Sequence, residues 1–142
     1  MNKIVKCNED DYVTLAEIWE RSVRATHKFL DETSISEIKE ALIPVYFPNV
    51  DIYAVSDKVS LVGFIGLHED KIEMLFIDSD NLRHGYGSML IEFAKQRGTT
   101  KVDVNEQNPQ ALSFYQSKGF RIIGRDEIDD VGRPYPILHL SL

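Results

Sequence analysis

A strand, a polar loop, two glycines and a helix follow one another: Leu75-Phe76-Ile77, then Asp78-Ser79-Asp80-Asn81, then Leu82-Arg83-His84-Gly85-Tyr86-Gly87-Ser88, then Met89-Leu90. Glycines at such a junction let the backbone turn tightly and aim several N–H groups at one point. The positive end of the helix dipole lies at the same point, and the combination suits an anion such as a pyrophosphate. By itself a Gly-x-Gly also fits a plain strand-to-helix turn. The loop lacks the Lys-Ser/Thr pair of a nucleoside-triphosphate loop, and Leu90 stands where a dinucleotide fingerprint has its third glycine. Two carboxylates, Glu73 and Asp103, interrupt apolar strand-like runs. Burial there would raise their pKa toward a range useful for proton transfer. No His/Cys/Asp spacing suggests a metal site, and no metal is expected.

The hydrophobic period predicts the elements that must position these groups. Ile4 and Val5 open a short strand, Asp10-Asp11 offers an N-cap, and Tyr12, Leu15, Ala16, Trp19 and Val23 follow at helical spacing. Ser34 and Glu37 have capping-box spacing for a second helix, with Ile35, Ile38 and Leu42 as its stripe and Pro44 as its stop. Ile52–Val55 and Leu61–Ile65 then predict a hairpin around Asp57-Lys58. Ile72 to Ile77 predicts a central strand covered on both faces. Tyr86, Leu90, Phe93 and Ala94 give a third helix ending near Gly98, and Val102–Val104 a short strand. Asn108 and Pro109 start a fourth helix that Gly119 stops, and strands from Phe120 and Ile137 close the chain around Val131-Gly132-Arg133. The order is β-α-α-β-β-β-α-β-α-β-β, an α/β (α+β) domain over residues 1–142 with a mixed central sheet flanked by four helices.

Composition sets outer bounds. The 142 residues, 43% hydrophobic and 27% charged, suffice for one core. A net charge of −7 disfavours a general nucleic-acid binder and favours a cationic ligand, although acidity also simply keeps a protein soluble. The single cysteine, Cys7, precludes an intramolecular disulfide. The first residues carry no apolar leader and no run is long enough to span a bilayer, so a cytoplasmic protein without membrane contact is expected.

Asn105, Asn108, Ala111, Phe114, Tyr115, Gly119 and Phe120 give the segment its family likeness. It resembles the N-x-x-A-x-x-[F/L]-Y-x-x-x-G-F stretch of GNAT N-acetyltransferases, one strand after their phosphate loop. Gly85 and Gly87 match the glycines of that loop's [Q/R]-x-x-G-x-[G/A] pattern, while Leu82 stands at its Gln/Arg position with Arg83 alongside. The early Arg24-Ala25-Thr26-His27-Lys28-Phe29-Leu30 and late Gly132-Arg133-Pro134-Tyr135-Pro136 are similar to a subgroup of small bacterial acetyltransferases.

The resemblance implies transfer of an acetyl group from acetyl-CoA to a primary amine of a small molecule or peptide by direct attack. It implies splayed central strands with the pantetheine arm against Leu75, Phe76 and Ile77, and the pyrophosphate on Arg83, His84, Gly85, Tyr86, Gly87 and Ser88. Asn108 would touch the cofactor, and Tyr115 would protonate the departing thiolate, although from spacing alone Tyr115 is a packed helix aromatic. An alkylammonium must lose its proton before attack. Asp103 and Glu73 are the candidate bases, with His27 a third. His27, Phe29 and Tyr135 are the expected acceptor contacts. A module of the same fold that binds acyl-CoA and regulates a partner without turnover is the alternative. A monomer and a homodimer are equally open.

Overall fold

The computed structural model describes residues 3–79 and 85–142. Its elements are β1 (Lys3–Lys6), α1 (Tyr12–Thr26), α2 (Glu32–Ala41), β2 (Asp51–Ser56), β3 (Leu61–His68), β4 (Lys71–Ile77), α3 (Tyr86–Gln96), β5 (Lys101–Asn105), α4 (Pro109–Ser117), β6 (Arg121–Asp126) and β7 (Ile137–Ser141). This is the order the hydrophobic period predicts. One seven-stranded sheet runs β1-β2-β3-β4-β5-β7-β6. Among the described residues only β4 and β5 pair in parallel, the crossover between them carrying α3.

Alternation along the strands feeds two cores. In β2, Tyr53 and Val55 enter the face covered by α3 and α4, whereas Ile52 and Ala54 enter the face covered by α1 and α2. Leu90, Ile91, Tyr115 and Phe120 fill the first core. Leu15, Ile18, Trp19, Phe47 and Phe64 fill the second. Fully burying one such side chain contributes about 1.5–3 kcal/mol, so both helical layers are held by their apolar stripes.

Several local expectations need correcting. The N-cap of α2 is Asp31, whose side chain accepts from Ser34 N at 2.7 Å. The Ser34 hydroxyl instead meets Tyr135 Oη at 3.1 Å, tying α2 to the segment before β7. Pro44 does not stop the chain's coiling; it sits within a π-helical turn, Leu42–Tyr46, that continues from α2. Asp11 is the N-cap of α1, as expected, but its side chain makes no cap bond to that helix; it closes a capping box with Asn8 around the 3-10 turn that precedes α1. β4 is not covered on both faces along its length, because residues 74–77 remain half-buried.

That half-burial has a topological cause. β4 pairs with β3 from Lys71 to Ile77, but with β5 only at Lys71↔Lys101 and Ile72↔Val102. Past Ile72 the two central strands separate. The register with β3 also shifts there: Gly66 faces Met74 and Leu67 faces Ile72, leaving Glu73 as the extra residue of a β-bulge. Bulges bend a strand and re-aim a side chain. No helix among the described residues is long and apolar enough to cross a membrane.

Candidate active site

The gap between β4 and β5 is a cavity of about 520 Å³. Leu75, Phe76 and Ile77 line one side, along the edge of β4 that β5 has left. An extended ligand there can add to β4 as a further strand would. At the cavity's end lie Gly85, Tyr86, Gly87 and Ser88, the start of α3. Gly85 has φ of +80°, a left-handed conformation that a side chain would strain. The helix's own ladder begins with Met89 N–H donating to Gly85 O, and the amides of a first turn are available to an anion. Gly87 has a packing reason as well, since a Cβ there would come within 3.2 Å of Phe114 Cζ on α4. Arg83, His84 and Leu82, also named from the sequence, lie outside the described residues.

Asp78, directly after β4, is gripped by Arg21 of α1 through Nε at 2.9 Å and Nη2 at 2.7 Å. This bidentate pair anchors the strand end that leads into the loop. On the opposite wall, Asn108 caps α4 by accepting from Ala111 N at 3.2 Å. A cap of this kind is worth about 1 kcal/mol. Tyr115 lies deeper, 7% exposed, with Phe114 and Phe120 edge-on at 5.4 and 5.8 Å. Burial pushes its phenol above the ordinary tyrosine value, so it carries its proton throughout the neutral range.

A second cavity of about 630 Å³ opens on the α1–α2 side. Trp19, Val23, Leu30 and Ile38 give it a largely apolar lining, to which Glu73, Asp129, Asp130 and Arg133 add charge, Asp129 being paired with Arg133 at 3.4 Å. The segment between β6 and β7 closes it, held by Arg133 to Glu37 at 2.9 Å and by the Ser34–Tyr135 contact. His27, Glu73, Met74, Phe76 and Asn105 line both cavities, so the two meet there. Tyr135 lines the second cavity, and Phe29 packs between Tyr135 and His27 at 5.9 and 5.4 Å.

The two carboxylates have different surroundings. Glu73, the bulge residue, reaches the seam between the cavities, with Lys71 Nζ 3.8 Å away. Asp103 borders the first cavity but is engaged, by Lys71 Nζ at 2.7 Å and His139 Nδ1 at 2.7 Å. His139 Nε2 also meets Asp126 at 2.6 Å. Carboxylates face both ring nitrogens, which favours the doubly protonated imidazolium; first Asp103 and then Asp126 hold its pKa above the ordinary value. From sequence His139 is only a strand histidine, since its partners lie 36 and 13 residues away. Thr26 and Lys71 are further participants that their spacing does not mark. Cys7 lines neither cavity, and burial pushes its thiol up to about 11. Among the described residues, no group of His, Cys, Asp and Glu is placed to hold a metal ion.

Comparison with known proteins gives this arrangement a context. Residues 14–133 match the family described as Acetyltransferase (GNAT) domain. The chain is 41% identical over 143 aligned residues to the peptidyl-lysine N-acetyltransferase YjaB of Salmonella typhimurium, covering 99% of this chain and 97% of that protein. The solution structure of apo-form YjaB from Escherichia coli matches with a TM-score of 0.91 at 35% identity, over 99% of this chain and 97% of that one. The crystal structure of PaiA N-acetyltransferase from Thermoplasma acidophilum in complex with coenzyme A matches with a TM-score of 0.73 at 20% identity, over 100% of this chain and 99% of that one. The last is a likeness of fold.

Proposed function

The chain belongs to the GNAT acetyltransferase family, and from that premise we propose that it transfers acetyl from acetyl-CoA to the side-chain amine of lysine in a protein or peptide. The observation that carries the reading is the seam: a cleft opened by the parting of β4 and β5 meets a largely apolar cavity at Glu73. The cleft fits the cofactor's parts in sequence, with an unpaired strand edge for pantetheine and a helix start for the pyrophosphate. The second cavity fits lysine, whose aliphatic stem can lie on Trp19 and Val23 with its charged end toward Glu73. The acceptors named for the YjaB relatives are of this kind.

Bound acetyl-CoA supplies the acetyl group as a thioester. Leu75, Phe76 and Ile77 hold the donor along β4, and the N–H groups of Leu75 and Ile77, on the edge turned from β3, serve the carbonyl oxygen as charge builds on it. Gly85 to Ser88 receive the pyrophosphate, and Asn108 contacts the donor from the start of α4. Glu73 takes the amine proton, directly or through one water. Asp103 organises Lys71 and His139 beside it. Tyr115 gives its proton to the departing sulfur.

The test is thiol release and mass spectrometry with acetyl-CoA and a panel of lysine peptides, polyamines, aminoglycosides and free amino acids. Acetylation of the lysine ε-nitrogen in peptides is expected. Tight calorimetric binding of CoA with no thiol release across the panel would instead favour a regulatory acyl-CoA-binding module.

A further inference from the structure

A run of hydrogen bonds crosses from α1 to α4 and passes through the seam. Thr26 Oγ1 donates to Ser22 O at 2.7 Å. A hydroxyl has a single proton, so the 2.8 Å contact between Thr26 Oγ1 and His27 Nδ1 must be filled by an N–H of the imidazole. From the other side, Asn108 Oδ1 is committed to Ala111 N, which turns the amide Nδ2 toward His27 Nε2 at 3.4 Å. Both ends of the run assign the same tautomer: Nδ1 carries the proton and Nε2 the lone pair. Enclosure near Phe29 and Phe76, at 5.4 and 6.1 Å, lowers the ring's pKa to about 4 and keeps it neutral.

We propose that the attacking amine takes over from Asn108 the long 3.4 Å contact at His27 Nε2, so that this nitrogen accepts the N–H that survives into the amide product. This rests on the acetyl-transfer reading above. His27 borders both cavities together with Glu73, the charged side chain at their seam. Once Glu73 has passed the proton of the alkylammonium to solvent, the N–C bond forms and the C–S bond breaks. The sulfur takes the proton of Tyr115, Glu73 takes one amine proton, and the two residues reset through solvent. One N–H remains on nitrogen throughout. Gripping that bond at Nε2 leaves the nitrogen lone pair to face the carbonyl. His27 is enclosed and would hold an imidazolium poorly, whereas Glu73 reaches the seam part-exposed and can pass a proton to solvent, so orientation falls to His27 and proton removal to Glu73. The division also selects against secondary amines, which give up their one N–H to Glu73 and keep none for His27.

Two measurements on the full chain test this. Ring 15N NMR at neutral pH is expected to show His27 protonated at Nδ1 alone; the opposite tautomer or an imidazolium overturns the proposal. In kinetics with a lysine peptide, His27→Leu is expected to lower kcat/KM by at least about tenfold. Its acetyl-CoA affinity and the shape of its pH profile should stay unchanged. His27→Gln, with an acceptor oxygen in reach of the same place, should stay within about threefold of wild type on the same scale. Thr26→Val, which removes the hydroxyl that receives Nδ1–H, should lower the rate, and Thr26→Ser should restore it. A folded His27→Leu at wild-type rate, a Gln variant no better than Leu, or a moved acid limb in His27→Leu overturns the proposal. If the melting curve shows His27→Leu unfolded, the Thr26 pair and the NMR spectrum decide. Failure of the wild type to acetylate any primary amine fells the transfer reading and this proposal together, whereas the variant and tautomer outcomes fell only the proposal.

Discussion

Replacing Tyr115 by phenylalanine separates chemistry from packing at a single oxygen. The ring is almost wholly enclosed, edge-on to Phe114 and Phe120, and phenylalanine keeps both contacts. Among the described residues no hydrogen bond reaches the Tyr115 hydroxyl, so removing it should lower Tm by no more than about 4 °C, the shift that one lost contact of about 1 kcal/mol would give. The effect on turnover should be of another order. Burial raises the phenol's pKa, which by itself makes it a poorer donor, but a thiolate leaving in the same enclosed cleft is equally short of water and becomes more basic. Donor and acceptor therefore rise together and proton transfer stays favourable. Losing it should lower kcat by roughly 10²-fold, about 2.7 kcal/mol of barrier. The assay is thiol release with a saturating lysine peptide between pH 6.5 and 9, with acetyl-CoA affinity measured by calorimetry. Unchanged affinity with the lowered kcat is expected. A folded Tyr115→Phe enzyme with wild-type kcat would refute the role and leave Tyr115 a core aromatic.

Glu73→Gln should slow turnover most at acidic pH, with the deficit shrinking as pH rises toward the amine's own pKa of about 10, because solvent then does the deprotonation. Asp103→Asn, which frees Lys71 and His139, should lower Tm more than Glu73→Gln does; equal pH profiles for Glu73→Gln and wild type would remove Glu73 as base. The His139 pKa is raised in the folded state, so its ion pairs stabilise fully below the unfolded value of about 6.5 and fade as pH climbs through the folded value. With the pairs part-exposed, the Tm gap between wild type and His139→Gln should be about 4 °C at pH 6 and close toward pH 9; a gap that widens with pH would contradict the imidazolium.

The element order was legible because each helix and strand carries its own period, and Asn108-Pro109 and Gly119 mark the ends of α4 by local chemistry. The start of α2 misleads because Ser34 and Glu37 satisfy a spacing rule that Asp31 satisfies better in space. Asp103 and Glu73 look equivalent in sequence, each a carboxylate among apolar neighbours. They diverge only through partners set by strand register: Asp103 faces His139 across β5 and β7, whereas Glu73 faces no β3 residue at all. A bulge inside an apolar run leaves no mark in the period. His27 stands next to Thr26, so half of its setting is local, but Asn108 is 81 residues away.

The bulge gives the site a common cause. β4 keeps step with β5 through Ile72, and the next residue, Glu73, is the one inserted against β3. An extra residue increases local twist and bends the strand that carries it. Bending at that point carries residues 74–77 away from β5 and opens the cleft. The same insertion sends the Glu73 side chain to the seam where the second cavity begins. The cleft and the candidate base thus arise from one backbone irregularity, which places the carboxylate where the cleft opens. Shortening β4 by that residue would restore register and close the gap, so a deletion would confound binding with chemistry. Glu73→Gln leaves the backbone and the side-chain volume in place and changes only the capacity to hold a proton.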